Sequence, residues 1–393
     1  MKIRSILLTA TLLLFPGFAF AAPTITGISG TITNGQTVSV SGSGFGTKTA
    51  AAPVAFGDME NNSLNARIGS WSSTHNIDSV SSSFQRNTHS AHSAYCNVRR
   101  DVVNVGDDFD CAFSGGSDAP QWYAQYWFYT EPGFSWSSGP NANQNNKIFR
   151  MWSAGSNLNN LRIQSANHVD VVVEAADEGH GGWGTGWQPV TAQYACADAA
   201  FGHPCITDYW SIYPGSTQWT NFETDMGPGV WHQFQFEMKS SSVDTPNGVL
   251  RWWVDGKLIF DHSDITTRTA SNPSNMRPLI LGIEAIHNSG GDGAIGHYYL
   301  DDAYIDNTWQ RVEIGNNATY NNCTLKEIQP ATAWADGSIS FTVNQGSFAD
   351  GSTGYVFVTD ANGTRNTGYQ VTFGASGGGD TTPPAAPTGL AVS

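Results

Sequence analysis

The sequence predicts an all-β chain, and three observations carry that expectation. Charged residues make up only 13% of the 393, about half the usual share, while glycines number 43 and aromatics reach 12%. Outside residues 1–20, no stretch repeats its apolar residues with the 3.6-residue period of a helix. Residues 230–306 break into short runs rich in Trp, Tyr, Phe, Ile and Val, with turn residues between them. A chain this long also exceeds one ordinary domain, so two or three are expected.

The runs within 230–306 are VWHQFQFEMK, GVLRWWVDGKLIFDH, RPLILGIEAIH and GHYYLDDAYID. Asp255-Gly256 between two of them predicts a tight hairpin, because that pair tolerates the positive φ angles such a turn needs. This succession of strands and turns resembles the C-terminal half of the concanavalin-like jelly-roll sandwiches of lectins, laminarinase-type glycosidases and several polysaccharide lyases. The resemblance implies a two-sheet sandwich with a glycan-binding groove. It speaks for a fold more than for a reaction.

Upstream, the same sandwich is expected to begin near Pro53, with a first strand over 54–60. QWYAQYWFY (121–129), NKIFRMW (146–152) and VDVVVE (169–174) read as further strands. A long segment of weak strand pattern over 175–229 holds Trp183, Trp187, Trp210 and Trp219 among glycines. Loops of that length are often functional.

The flanks read differently. PTITGISGTITNGQTVSVSGSGFGTK (23–48) alternates apolar and polar residues, and resembles the opening of an IPT/TIG domain, a small immunoglobulin-like sandwich. The strands that should complete it resume only in 311–374, as RVEIG, SISFTVNQGSF and GYVFVTDANGTRNTGYQVTF. The expected organisation is a signal peptide over 1–22, the two parts of the small sandwich over 23–51 and 311–374, and the jelly roll over 52–310 inserted between them. So short an opening segment cannot bury a useful core alone. The alternative is two independent small domains flanking the jelly roll. Residues 375–393 read as a disordered Gly/Asp/Thr/Pro tail, whose end resembles the first strand of a fibronectin type III domain.

The start carries Lys2 and Arg4, an apolar run over 6–15 and an Ala19-Phe20-Ala21 cleavage pattern, which predicts export after cleavage near Ala21 or Ala22. No second apolar run is long enough to span a bilayer, so no membrane insertion is expected. The formal charge of −15 argues against nucleic acid and anionic membranes as partners. It also means that a polyanionic polysaccharide requires a local basic patch. Export favours disulfides among the five cysteines, with sequence proximity suggesting Cys96–Cys111 and Cys196–Cys205 and leaving Cys323 free.

These residues admit three chemistries. Jelly-roll polysaccharide lyases use a cation to neutralise a uronate carboxylate, and a base and acid to move protons. Lys147 or Arg150 would supply the cation, in a run Asn146-Lys147-x-x-Arg150-x-Trp152 that resembles a strand of those lyases. His297 and Tyr299, two apart on one strand face, would move the protons; His168, His180, His287 and Tyr298 are the other candidates. The chain has no Arg-Thr/Ser-Glu-x-Arg or Gln-Ile/Val-His strand of the better-defined alginate lyases. Strand alternation would place Lys147 with Phe149 and Met151, opposite Arg150 and Trp152. For a glycosidase, Asp170 and Glu174 share a strand face at a spacing that roughly matches the 5–10 Å between catalytic carboxylates. For a lectin, Trp152, Trp183, Trp187 and Trp210 would stack on sugar rings. A structural Ca²⁺ held by Asp177 and Glu178, or by Asp292, Asp301 and Asp302, is a further expectation. The leading reading is a polysaccharide lyase, the second a non-catalytic carbohydrate-binding or adhesion protein, and the third a glycoside hydrolase.

Overall fold

The structure is a computed structural model that describes residues 21–99, 109–134, 145–153, 159–166, 170–177, 188–189, 227–265, 267–268, 270, 273–285 and 295–374. The expected signal residues 1–20, the tail 375–393, and His168, His180, His287, Trp183, Trp187, Trp210, Trp219, Cys196 and Cys205 lie outside the described residues. Within them the chain is almost wholly β, with antiparallel pairing throughout and one short 3-10 turn at Tyr320–Asn322.

Two large sheets face each other. The nine-stranded sheet runs Lys257–Ile265, Gly248–Val254, Trp231–Lys239, Gln121–Thr130, Ile295–Asp306, Ala55–Gly57 and Ile68–Gly69, with Ser93–Arg99 and Ser79–Ser81 joined beside Ile295–Asp306. The seven-stranded sheet runs Gln188–Pro189, Asp170–Asp177, Asn159–Ala166, Asn145–Trp152, Arg277–Ala285, Phe109–Ser114 and Ser73–His75. Strand alternation sends Trp122, Ala124, Tyr126 and Phe128 into the space between them, where they meet Phe149, Met151, Leu281 and Ile283 from the other sheet. The Phe149 and Phe236 rings sit 4.2 Å apart across that core. Cys96 and Cys111 are bonded, tying Ser93–Arg99 of the nine-stranded sheet to Phe109–Ser114 of the seven-stranded one. Cys323 is free and buried. The hairpin predicted at Asp255-Gly256 is present, with φ angles of 47° and 76°. A Cβ at Gly256 would stand 2.0 Å from the Cys323 carbonyl oxygen, so glycine here also serves a close backbone approach.

A second, smaller pair of sheets is built from both ends of the described chain. One holds Thr24–Ser29, Thr37–Ser43, Ser338–Thr342 and Ala331–Ala335; the other holds Lys326–Gln329, Arg311–Gly315, Thr353–Thr359 and Tyr369–Thr372. Thr37 pairs with Thr342 and Ser41 with Ser338. Ile28, Val38, Val40 and Phe45 share one apolar core with Val312, Ile314, Phe341 and Val358. The strands of 55–306 belong to the larger sheets.

The outer face of the nine-stranded sheet is where the two sandwiches meet, through an apolar cluster of Phe56, Tyr123, Tyr304, Trp309 and Ile328 and a polar layer beside it. Glu237, fully buried, takes Arg311 at 2.9 Å and Arg251 at 3.2 Å, and also pairs with Arg365. Arg311 also grips Glu313 at 2.8 Å, and Glu313 accepts from Tyr320 and Gln235. A second cluster sets Arg86 against Glu327 at 2.8 Å, Asp302, and Asp301 at 3.5 Å, with its guanidinium over the Trp127 ring. Burial alone would lift the Glu237 carboxyl; the surrounding guanidiniums outweigh it and hold the group below its ordinary range.

Glu237→Gln leaves three guanidiniums around a neutral group, and removing one partner of a buried pair costs about 3–5 kcal/mol. The urea midpoint is expected to fall accordingly, with an unchanged slope. A second expectation concerns pH. Burial pushes the Asp58 and Asp306 carboxyls up to about 6, above their ordinary 3.8. The folded state therefore binds protons that the unfolded state has released, and this contribution to stability is lost as pH rises through about 6. Denaturation midpoints should thus be higher at pH about 5 than at pH about 7, and Asp306→Asn should shrink the difference. A midpoint that rises with pH across that window in the unaltered protein would contradict it.

Candidate functional site

The residues singled out from sequence fall on two opposite faces. Five of them converge on the outer face of the seven-stranded sheet. Phe149 and Met151 point into the core, so Arg150 points out. Cross-strand register sets Arg150 opposite Arg162, and Arg162 opposite Glu174. Lys147 lies opposite Gln164, two positions along from Arg162 and hence at the same face, and Asp170 lies on the Glu174 face of its own strand. Alternation alone put Lys147 on the opposite face from Arg150. A bulge between Lys147 and Phe149 corrects this, because it turns Ile148 as well as Phe149 into the core and shifts the register by one. Arg150 is only 2% exposed, and its guanidinium lies 4.1 Å from the centre of the Trp152 ring. The strip thus gathers three cationic positions, two carboxylate positions and an aromatic ring.

His297 and Tyr299 are elsewhere. Their strand belongs to the nine-stranded sheet, and Tyr298 between them faces the core. His297 and Tyr299 therefore point to the far outer side, with the whole core between them and Arg150. They cannot serve one reaction centre with it. They do come together with each other: Glu131 accepts from the Tyr299 hydroxyl at 2.7 Å and sits 2.8 Å from His297 Nδ1. Glu131 was missed in the sequence, although alternation through Tyr123, Gln125, Trp127 and Tyr129 already put it on that face. Burial, and then the Glu131 carboxylate, push the Tyr299 phenol well up, so it stays protonated and acts as a donor. Around the trio stand Tyr129, Tyr95 and Phe84, with Tyr95 5.5 Å from the His297 ring and Phe84 4.8 Å from Tyr299.

Among the described residues, no group of three or more His, Cys, Asp or Glu is arranged to hold a metal ion. Asp301 and Asp302 face Arg86, and Glu178 and Asp292 lie outside the described residues. Among those residues no helix is long and apolar enough to cross a membrane.

The class these features define is a two-sandwich, all-β protein with antiparallel sheets. No protein-family profile matches the chain, and no curated protein does. Among solved structures, an endo-β-1,4-glucuronan lyase from the fungus Trichoderma reesei is similar at 12% identity and a TM-score of 0.40, over 65% of this chain and 95% of that one. A marine alginate lyase from Aplysia kurodai matches at 10% identity and 0.37, over 58% and 85%. An alginate lyase from a Chlorella virus matches at 8% and 0.31, over 72% and 93%. These likenesses are too weak to bring an activity or a residue role to this chain.

Tyr299→Phe removes one of the two hydrogen bonds that hold Glu131. It should cost about 1 kcal/mol in chemical denaturation while the far-ultraviolet spectrum stays unchanged.

Proposed function

We propose that this is an exported protein that acts on polysaccharide, and that the larger sandwich is a lyase cleaving a uronate-containing glycan by β-elimination. The observation that supports this most is the register that sets Lys147, Arg150 and Arg162 together on one outer face in a chain of formal charge −15. Such a chain repels a polyanion everywhere except at a local basic strip. Guanidinium groups suit that substrate, because they pair with a uronate carboxylate through two parallel hydrogen bonds. Neutralising the carboxylate makes the adjacent C5 proton easier to remove, and stabilises the charge that develops as it leaves. On this reading Arg150 is the neutralising group, and Lys147 and Arg162 extend the cationic strip. Trp152 packs on Arg150 and holds it in place. Asp170 and Glu174 border the strip and set where along it the anionic chain is admitted. The proton-moving pair is a group other than His297 and Tyr299.

The second reading is a protein that binds glycan on the same strip without cleaving it. It is favoured by the position of the sequence-predicted His/Tyr pair on the other sheet.

The mature protein is to be incubated with alginate, glucuronan, pectate and hyaluronan, with ultraviolet absorbance of the unsaturated product as readout. A rise on one of them is expected. Arg150→Ala should then lower kcat by about a hundredfold or more, whereas His297→Ala should leave it within about twofold. A flat trace on every substrate, with retention of the protein in an alginate-containing native gel, would replace the lyase with the binding reading. Mass spectrometry of the exported chain checks removal of residues 1–21 or 1–22.

A further inference from the structure

The far end of the nine-stranded sheet carries features that the proposed lyase leaves unused. Cross-strand register aligns Trp231 with Tyr129, Tyr129 with Tyr299, and Tyr299 with Tyr95, so four adjacent strands each contribute an aromatic residue to one row. All four point away from the core, since their neighbours Phe128, Tyr298 and Ala94 fill it. At about 4.8 Å per strand the row is about 14 Å long. Neighbouring rings are in contact range, at 5.5 Å for Trp231 and Tyr129, 6.0 Å for Tyr129 and Tyr299, and 5.3 Å for Tyr299 and Tyr95. Phe84 lies on the middle two rings. Trp231, Phe84 and Tyr95 each keep part of their surface open to solvent.

Beside this row the polar groups are arranged and left open. His297 spends Nδ1 on Glu131, while its Nε2 has no protein partner among the described residues. Both His297 and Glu131 are about a third exposed, at 33% and 27%. The small sandwich does not reach this end: its contacts run through Gln233, Gln235, Glu237 and Arg86, lower on the same face.

Partly open aromatic rings next to fixed hydrogen-bonding groups suit the C–H faces and hydroxyls of a pyranose. The charge decides which pyranose. Among the described side chains this end carries two carboxylates, Glu131 beside Tyr299 and His297 and Asp78 beside Tyr95, so a carboxylated or sulfated sugar is disfavoured. We infer that this end of the nine-stranded sheet is a second glycan-contact surface, separate from the Arg150 strip, and that it takes an uncharged polysaccharide segment by stacking on Trp231, Phe84 and Tyr95 with hydroxyl contacts to His297 and Glu131. Its occupant differs in charge from the uronate chain proposed for the other sheet. The protein can therefore hold a neutral matrix polymer on one face while the other engages an anionic one.

The test is native affinity electrophoresis of the mature protein through gels containing soluble mixed-linkage β-glucan, glucomannan, galactomannan or arabinoxylan. Retardation by at least one neutral polymer is expected. Trp231→Ala and Tyr95→Ala should each weaken it by about threefold to tenfold, the range that one stacked ring contributes, and Tyr95→Phe should preserve it. Arg150→Ala, which disables the other face, should leave it unchanged, so loss of lyase activity and loss of this binding separate cleanly. Melting curves are recorded for every variant, because Trp231 and Tyr95 also touch buried rings. No retardation in any gel would overturn the inference. So would retardation that the folded Trp231→Ala, Tyr95→Ala double variant keeps, or that Arg150→Ala removes.

Discussion

Everything in this structure is arranged around one buried carboxylate. Glu237 stands on the central strands of the larger sandwich and is reached by Arg311 and Arg365 from the smaller one and by Arg251 from its own sheet. A carboxylate taken out of water without partners is very costly, and so is a guanidinium. Each sandwich therefore presents charges whose pairing is completed by the other. The buried Tyr123 and Tyr320 work in the same layer: Tyr123 lies under the Arg311 guanidinium at 3.8 Å, and Tyr320 donates to Glu313. Lys326 is buried against Tyr320 and Trp253, and this burial draws its amine down to about 8. An interface built this way rewards one relative placement of the two sandwiches and penalises sliding. It thereby fixes which parts of the nine-stranded sheet are covered and which remain free.

That coverage separates the two candidate surfaces. Moving outward along the nine-stranded sheet, Gln235 and Glu237 are sealed by the small sandwich, Trp127 by Arg86, and Tyr129 and Tyr299 by Phe84, until Glu131 and His297 emerge partly exposed. The Arg150 strip is on the other sheet, behind the core. Burial raises cost where it is unpaired and adds order where it is paired, and the Glu131 and His297 surface lies where the paired layer ends.

Much of this was legible in the chain. The aromatic-rich runs 121–129 and 230–239 announced strands, and Asp255-Gly256 announced its turn, because both signals are local and rest on strand propensity and φ preference. The pairing of His297 with Tyr299 was legible for the same reason. Their separation from Arg150 was not. Alternation assigns a residue to a face of its own strand, but does not say which sheet that strand joins, and that choice is made by hydrogen bonds to strands distant in sequence. The face of Lys147 failed for a related reason: a bulge at Ile148 breaks the two-residue period without leaving a glycine or proline to mark it. Glu131 was readable in principle, as the next outward position after Tyr129, but it falls just past the end of Gln121–Thr130, where strand alternation stops.

The hydrogen bond between Ser39 and Ser340 closes a span of 301 residues. A ribosome adding roughly 5–20 residues per second needs about 15 s to a minute to make that span. Throughout that time the edge of Thr37–Ser43 has no Ser338–Thr342 to pair with, and Val38 and Val40 lack the core that later covers them. The strand is short and carries serines at Ser39, Ser41 and Ser43, with glycine at Gly42, a composition that resists pairing with another chain in the meantime. Ser338–Thr342 is made after the strands of the larger sandwich and locks one made before them, so completion of the small sandwich reports that the intervening chain has already been synthesised.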